Sequence, residues 1–451
     1  MKLKQMEFDF TPMAPAKQGK DKEQYIAKHL SESSTGEIRL MESICERENM
    51  NKAWKRVVQN DGAPGVDGMK AKALGVFLRR CGGVVKAALL NGTYKPYPVR
   101  RKEIPKPDGV GVRLLGIPTV LDRFVQQAIV RILLAIWDHT FSDSSFGYRP
   151  GRSQAQAVEL FRKHVEEGYT YVVNIDLSKF FDRVNHDRLM SRLAKRIEDK
   201  RVLKLIRAFL NSGVQVNDIV EYTGEGTPQG GPLSPLLSNI VLDELDKELE
   251  RRGHRFVRYA DDLVILVRSQ KAGDRVKESI SRFITGKLKL KVNEDKSGVT
   301  RPWDTKFLGF RICKMFGKTR IVIHAKAIEN FKDVIRDITR RNRGVSLQRV
   351  IGELNQFIIG WKAYYMQGVH TKLIKVLNKW IIRRLKAFLW EQWKLPRTKV
   401  RNLKKLGLSH RDAVALGNTR KGGWRTSKHY KLNFAMPTNM FTQKRGLVLL
   451  G

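Results

Sequence analysis

A chain of 451 residues can bury a core in two or three domains, and its 41% hydrophobic content is that of a folded protein, which excludes wholesale disorder. The charge is far from ordinary: 86 Lys and Arg against 45 Asp and Glu give a formal +41. Such an excess repels itself unless a polyanion neutralises it, and nucleic acid is the usual one, with a membrane surface as the rival. There is no apolar run of about 18 residues and no basic amphipathic anchor, so no membrane partner is expected. Cys45, Cys81 and Cys313 are scattered and form no CxxC, which argues against both a disulfide framework and a zinc site. The opening MKLKQMEFDF carries acid and lacks an apolar segment, so no secretory signal and a reducing, cytoplasmic compartment are expected.

Residues 1–40 read as a polar arm leading into helix. NDGAPGVDG, near residue 60, is dense in turn formers. In YKPYPVRRKEIPKPDGVGVR (94–113) the prolines exclude a helix, and basic residues alternate with short β-prone steps, so a basic hairpin is predicted. TYVVNIDL (170–177) is a buried strand. SPLLSNIVLDELDKELERRG (234–253) is a helix, with Leu237, Ile240, Val241, Leu245 and Leu249 on one face and Gly253 as its stop. From about residue 320 the chain turns to long, basic, aromatic-bearing helices: NFKDVIRDITRRNRG, QRVIGELNQFIIGWKAYYMQG and LIKVLNKWIIRRLKAFLWEQWK. Pro396 marks a boundary before a Lys/Arg-rich tail. Residues 311–451 hold 32 bases and 6 acids, so well over half of the net charge lies in the last third.

In RYADDLVILV (258–267), Asp261 and Asp262 stand between two β-prone runs, which places them at the turn of a hairpin. Two carboxylates about 4 Å apart repel by a few kcal/mol at an effective dielectric near 20, and a divalent cation turns that repulsion into attraction. Alone, the pair reads as a solvated acidic turn, and Asp176 alone reads as a helix cap. Asp176, however, closes the strand YVVNID. An acid at a strand end beside a hairpin bearing two more suits nucleotidyl transfer, in which two metals about 3.5–4 Å apart activate the primer 3′-hydroxyl and stabilise the leaving pyrophosphate.

RYADD resembles the YxDD box of reverse transcriptases, and NIDLSKFFDRVNH resembles their first catalytic aspartate motif. GEGTPQGGPLSPLLSNI is similar to the motif between these, and KFLGF (306–310) to their primer grip. Upstream, IPKPDGVGVRLLGIPTVLDRFVQQAI and SFGYRPGRSQAQA resemble the fingers of group II intron-encoded reverse transcriptase/maturases. Downstream, LNQFIIGWKAYY resembles their maturase domain.

The resemblance implies an α/β right-hand polymerase fold: fingers, a palm with an antiparallel sheet, and an α-helical thumb. The expected layout is an arm over 1–40, N-terminal extension and fingers over 41–165, palm over 166–318, thumb/maturase domain over 319–395, and a basic DNA-binding segment over 396–451. Asp176, Asp261 and Asp262 match the catalytic trio that holds two Mg²⁺ ions, with the Leu177 carbonyl as a further metal ligand. Phe181 matches the steric gate, where an aromatic ring clashes with a 2′-hydroxyl, whereas its neighbour Phe180 reads as core.

Gln229 and Gly230 match positions at the incoming dNTP, where glycine allows close backbone approach. A plain Gly-Pro turn is the alternative there. Lys106, Arg113 and Lys296 match residues at the triphosphate, and Leu308 and Gly309 match the primer grip. Trp361, Tyr364 and Tyr365 fall at helical spacing and read as packing within the thumb. The departure RLLGIP, where the family often has Pro after the Arg, reads as tolerated.

The function implied is an RNA-directed DNA polymerase that also binds its group II intron RNA as a maturase. It copies RNA template from a DNA primer at target DNA, as a nucleoid-associated ribonucleoprotein of the endonuclease-less bacterial IIC kind. Two alternatives stand beside it: a domesticated or defence-associated reverse transcriptase without an intron, and a splicing-only RNA-binding maturase.

Overall fold

The computed structural model describes residues 39–105, 112–216, 219–221, 225–226, 230–315 and 317–451. They divide into two compact units, the first built from the residues up to 160 with 168–300, the second from 161–167 with 301–451.

The first unit opens with helices α1 (Leu40–Ile44), α2 (Arg47–Asn60) and α3 (Leu74–Leu90). Strands β1 (Val99–Pro105) and β2 (Val112–Ile117) pair antiparallel, Ile104 opposite Arg113, as the basic hairpin read around PDG. Helix α4 (Val120–Trp137) is buried along most of its length. Its start is fixed by Thr119, whose hydroxyl accepts the Asp122 N–H at 3.0 Å and donates to the Asp122 carboxylate at 2.7 Å. The Tyr94 hydroxyl and Tyr97 N–H donate to the same carboxylate. Burial pushes the Asp122 carboxyl above its ordinary range, and these donors oppose the rise.

Helix α5 (Gln154–Glu166) is where the division between units falls. Strand β3 (Tyr171–Ile175), helices α6 (His186–Ala194) and α7 (Lys200–Leu210), and short strands β4 (Val214–Val216) and β5 (Ile219–Glu221) follow. Then come α8 (Ser234–Arg251), the hairpin β6 (Arg255–Tyr259) and β7 (Asp262–Val267), α9 (Gln270–Phe283) and β8 (Gly298–Thr300).

Two four-stranded sheets result, ordered β2-β1-β4-β5 and β6-β7-β3-β8. In the second, all pairings are antiparallel. Side chains alternate between its faces. Val173, Ile175 and Leu177, with Leu263, Ile265, Val267 and Phe256, join one core with Leu245 and Leu249 of α8 and Ile280 of α9. Asn174 and Asp176 therefore point to the opposite face, as does Asp262, one residue out of step with Leu263.

The second unit begins with the hairpin β9 (Phe310–Met315) and β10 (Lys318–Ile323). Three long helices follow, α10 (Ala325–Ile338), α11 (Leu347–Tyr365) and α12 (Thr371–Gln392), then α13 (Pro396–Lys405), α14 (His410–Gly417), α15 (Gly423–Thr426), α16 (Tyr430–Ala435) and α17 (Thr438–Thr442). Pro396 occupies the first turn of α13, where its missing N–H costs nothing. Trp361 is buried between Phe331 and Tyr365, at ring-centroid distances of 4.6 and 4.9 Å. Among the described residues, no helix is long and apolar enough to cross a membrane.

Residues 446–450 form a strap held by two asparagines. Asn355 of α11 donates to the Gly446 carbonyl at 2.7 Å and accepts the Val448 N–H at 2.8 Å. Asn378 of α12 donates to the Leu450 carbonyl at 2.8 Å and accepts its N–H at 3.0 Å. Leu447 and Leu450 are buried. Each asparagine amide thus satisfies both backbone polarities of an extended segment, fixing which leucines face inward. Replacing Asn378 by Ala leaves a donor and an acceptor unmatched, and we expect a loss of about 1–3 kcal/mol. Chemical denaturation followed by tryptophan fluorescence measures it; an unchanged midpoint would show that the strap contributes nothing.

Candidate active site

The β6–β7 hairpin is as short as a hairpin can be. Tyr259 pairs with Asp262, leaving Ala260 and Asp261 as the two turn residues. Ala260 takes φ +58° while Asp261 has no positive φ, the type II′ pattern, in which the first position favours glycine. Holding an alanine there costs roughly 1–2 kcal/mol.

Strand β3 then brings in the distant acid. Ile175 pairs with Leu263, so the next residues outward, Asp176 and Asp262, leave adjacent strands at the same end of the sheet, with Asp261 one step beyond. Residues opposite each other in antiparallel strands have Cα atoms about 4.5–5.5 Å apart. Asp176 and Asp261 are half-buried, and Asp262 is exposed.

The backbone at Asp176 is clamped from its other edge. Its N–H donates to Ser297 Oγ at 3.0 Å, and its carbonyl accepts the Asn293 N–H at 2.8 Å. The Ser178 N–H donates to the Lys291 carbonyl at 2.8 Å, and Leu177 bridges Val292. The bonds flank the Leu177–Val292 pair and leave it unbonded. By the alternation of an antiparallel ladder, the Leu177 carbonyl therefore points to the β7 edge, toward the hairpin acids. Exposed Lys296 lies in the same clamping turn, next to Ser297.

Among the described residues, no group of three or more His, Cys, Asp and Glu side chains gathers into a metal cage. Two strand-end carboxylates and a carbonyl nonetheless form a hard-oxygen donor set that fits a divalent cation completed by substrate phosphates.

Phe180 and Phe181 form a single 3₁₀ turn with Asp182, entered through Lys179 at φ +50°. Phe180 is buried, and Phe181 is half-exposed with its ring edge-on at 5.2 Å. Gly230 and Gly231 both stand close to other parts of the chain. A Cβ on Gly230, which has φ +131°, would stand 2.5 Å from the Gly116 carbonyl of β2; one on Gly231 would stand 2.5 Å from Gln126 of α4. Backbone packing already demands the first glycine, whereas the second meets only the end of a side chain. Lys106 and Gln229 lie outside the described residues, and Arg113 sits on β2.

Leu308 and Gly309 belong to the second unit. Phe307 and Phe310 exchange two backbone hydrogen bonds of 2.9 Å around them, and both turn residues have positive φ, 51° and 81°. The Tyr364 hydroxyl donates to the Leu308 carbonyl at 3.2 Å, and the His324 N–H donates to that of Gly309 at 2.9 Å. A Cβ on Gly309 would meet the Tyr365 hydroxyl at 2.7 Å. Burial, then Lys306, Arg311 and Lys326, hold the His324 imidazole below its usual range, so the turn sits in a positive field.

Two supports of the acidic turn escaped the sequence reading. Gly147 lies directly against it: a Cβ there would fall 2.2 Å from the Ala260 nitrogen. The segment around it pairs with β6, the Phe146 N–H donating to the Arg258 carbonyl and the Arg258 N–H to that of Ser144, both at 2.9 Å. Buried Arg149 holds this segment through the Ser142 and Ser145 carbonyls and Asp138. The second support is the Arg258 side chain, which is fully buried and ion-paired with Asp246 of α8.

An antiparallel sheet with helices on one face and acids from two strands at the end of the other defines a polymerase palm. Residues 104–312 match the family model described as reverse transcriptase (RNA-dependent DNA polymerase), and 328–407 match the group II intron maturase-specific domain. Protein YkfC of Escherichia coli is 33% identical over 63% of this chain and 86% of its own length. Group II intron-encoded protein LtrA of Lactococcus lactis is 30% identical over 58% of this chain, which spans about half (54%) of LtrA. A telomerase structure from Candida albicans matches at 15% identity over 73% of this chain and 66% of that one, with a TM-score of 0.40. The chain belongs to the group II intron-encoded reverse transcriptase/maturases: it is an RNA-directed DNA polymerase with a right-hand fold. Its family works with divalent metal ions and deoxynucleotides.

Adding a methyl group at Gly147 must push the turn away. We expect Gly147→Ala to destabilise the protein by about 1–3 kcal/mol and to slow primer extension at least about tenfold. Undisturbed extension by that variant would mean that the turn tolerates displacement.

Proposed function

We propose that the chain copies RNA into DNA at the Asp176, Asp261 and Asp262 end of the sheet and that it binds its own group II intron RNA to promote splicing. The observation that carries this is the β3–β7 register, which delivers acids from two distant motifs to one place in a chain that matches the reverse transcriptase model. Asp176 and Asp261, with the Leu177 carbonyl, would hold two Mg²⁺ ions, and Asp262 would support them. Bound there, the ions supply charge neutralisation at the phosphates and a more acidic primer 3′-hydroxyl.

The remaining roles fall to the chain's own side chains. Half-exposed Phe181 offers a ring edge beneath the incoming sugar, where a 2′-hydroxyl would clash. Lys296 stands beside the clamp on Asp176 and would neutralise a triphosphate, together with Lys106 and Arg113. Gln229 and Gly230 would line the nucleotide, and the Leu308–Gly309 turn would grip the primer.

The first unit corresponds, in this reading, to fingers and palm, and α10–α12 of the second to the thumb that receives template–primer duplex and folded intron RNA. The tail presents Tyr430 and Phe434, one helical turn apart on α16 and 71% and 73% exposed, among Lys428, Lys431 and Arg425. Aromatic faces amid bases suit stacking on unpaired bases of target DNA.

Asp261→Ala is expected to lower Mg²⁺-dependent primer extension on an RNA template by roughly 10³-fold while leaving intron RNA binding and splicing intact. Extension at wild-type rate would overturn the assignment of the acids. Loss of splicing alongside extension would show that chemistry and RNA binding are not separable. In a second test, Phe181→Val should admit ribonucleotides at least about tenfold better relative to deoxynucleotides, measured as the ratio of kcat/KM values. An unchanged ratio would return Phe181 to the core.

A further inference from the structure

Arg258 reads in the sequence as one of 86 basic residues, yet it is 1% exposed and its partner Asp246 is 0% exposed. Its guanidinium makes four hydrogen bonds. Nε and Nη2 donate to the two Asp246 oxygens at 2.7 and 2.5 Å, a forked pair. Nη1 donates to Asn239 Oδ1 at 3.0 Å and to the Ala260 carbonyl at 2.9 Å. Asn239, in turn, donates from Nδ2 to the Gly147 carbonyl at 2.9 Å.

A buried ion pair is a poor device for stability alone, because a well-packed apolar pair of similar volume often serves as well. What an apolar pair cannot supply is the bond to Ala260. That carbonyl belongs to the peptide joining Ala260 to Asp261, and Ala260 is held at φ +58°, a conformation that relaxes readily when unsupported. Asp246 fixes the guanidinium, the guanidinium fixes the peptide, and the peptide sets the direction in which Asp261 leaves the turn. Through Asn239 the same fork is tied to the Gly147 backbone, which closes on the turn from its other side. Because Asp246 balances its charge, Arg258 reaches the turn without competing with metal for Asp261.

We propose that Arg258 is a positioning residue for catalysis, acting through the Ala260 carbonyl to hold Asp261 where it binds metal. This rests on the reading of Asp261 as a metal-holding acid. The test replaces both charges at once, Arg258→Met with Asp246→Leu, so that no unpaired charge is left buried. Melting temperature, template–primer affinity, kcat, KM for dNTP and the Mg²⁺ concentration for half-maximal rate are measured. We expect a folded protein with template–primer affinity within about threefold of wild type. Its kcat should fall about 100-fold, the scale of a misplacement near 1 Å, and its half-maximal Mg²⁺ should rise several-fold.

Wild-type kcat and Mg²⁺ dependence in that variant would overturn the proposal, as would a kcat loss with no shift in Mg²⁺ dependence. If the double variant does not fold, Asn239→Ala keeps the ion pair but cuts the tie to Gly147. It should shift the Mg²⁺ dependence in the same direction with a smaller, roughly tenfold, loss of kcat; an unshifted dependence overturns the proposal equally. Asp261→Ala run in parallel separates the two readings: if it remains active, the metal assignment fails whatever Arg258 does.

Discussion

The register of β3 against β7 is the constraint on which the site depends. Side chains alternate along a strand, so a slip of one residue would send Asp176 into the core occupied by Ile175 and Leu177 and turn those residues to the face of Asn174. The packing of that core therefore fixes where Asp176 stands, at the polar end of an opposite face that is otherwise apolar and buried at Val172, Val264 and Leu266. Val173, Ile175, Leu263 and Ile265 must all face α8 and α9, and once they do, Asp176 and Asp262 have only one place to be. Burial of the core sets the geometry of the candidate site without any attraction between the acids.

A second layer of support meets the cost of the turn itself. Type II′ geometry with alanine at its first position is mildly strained, and the strain falls on the residue preceding Asp261. Two elements meet the turn, the 144–147 segment and Arg258 on β6, and Asn239 on α8 ties them to each other. The Arg258 guanidinium ends on a backbone carbonyl of the turn and the Asn239 amide on a backbone carbonyl of the 144–147 segment, so both side chains act on the backbone and leave the carboxylates alone. Arg149 extends the support one shell outward by gathering the carbonyls of the 142–145 segment. In this way SFGYR, 110 residues before the acids or more in sequence, is part of what holds them.

Local pattern made the elements legible and left their partners hidden. The β-prone runs RFVRY and DLVILV, the apolar run YVVNI, the prolines around PDG and the stripe in SPLLSNIVLDEL each announce an element that the structure contains. Arg258 and Asp246 do not announce themselves, because a charged residue in a strand or in a run such as LDKELERR looks solvated until a neighbour's backbone is known. Gly147 looks like a turn glycine, and only the approach of Ala260 reveals why a side chain is forbidden. For Gly230 the sequence suggested close approach of nucleotide; the contact with the Gly116 carbonyl is a reason that no local pattern encodes. The strap at 446–450 reads as an apolar tail because its partners, Asn355 and Asn378, are generic polar residues on helices.

The scarcity of acid in this chain has a consequence for the same site. With 32 bases against 6 acids over residues 311–451, a nucleic acid partner is drawn by long-range attraction that weakens as salt rises. Attraction of that kind is indifferent to where along a phosphate backbone the protein settles. Carboxylates at a sheet end do the opposite: they repel phosphate unless a cation intervenes, so in the reading proposed above that place would be closed to polyanion without metal. In that reading basic surface and acidic turn would divide the work, one holding nucleic acid anywhere along its length, the other admitting phosphate only with a cation between. For that division to hold, the acids must not be neutralised by the surrounding excess of Lys and Arg. Arg258, the base next to the turn in sequence, is kept from doing so by a buried carboxylate of its own.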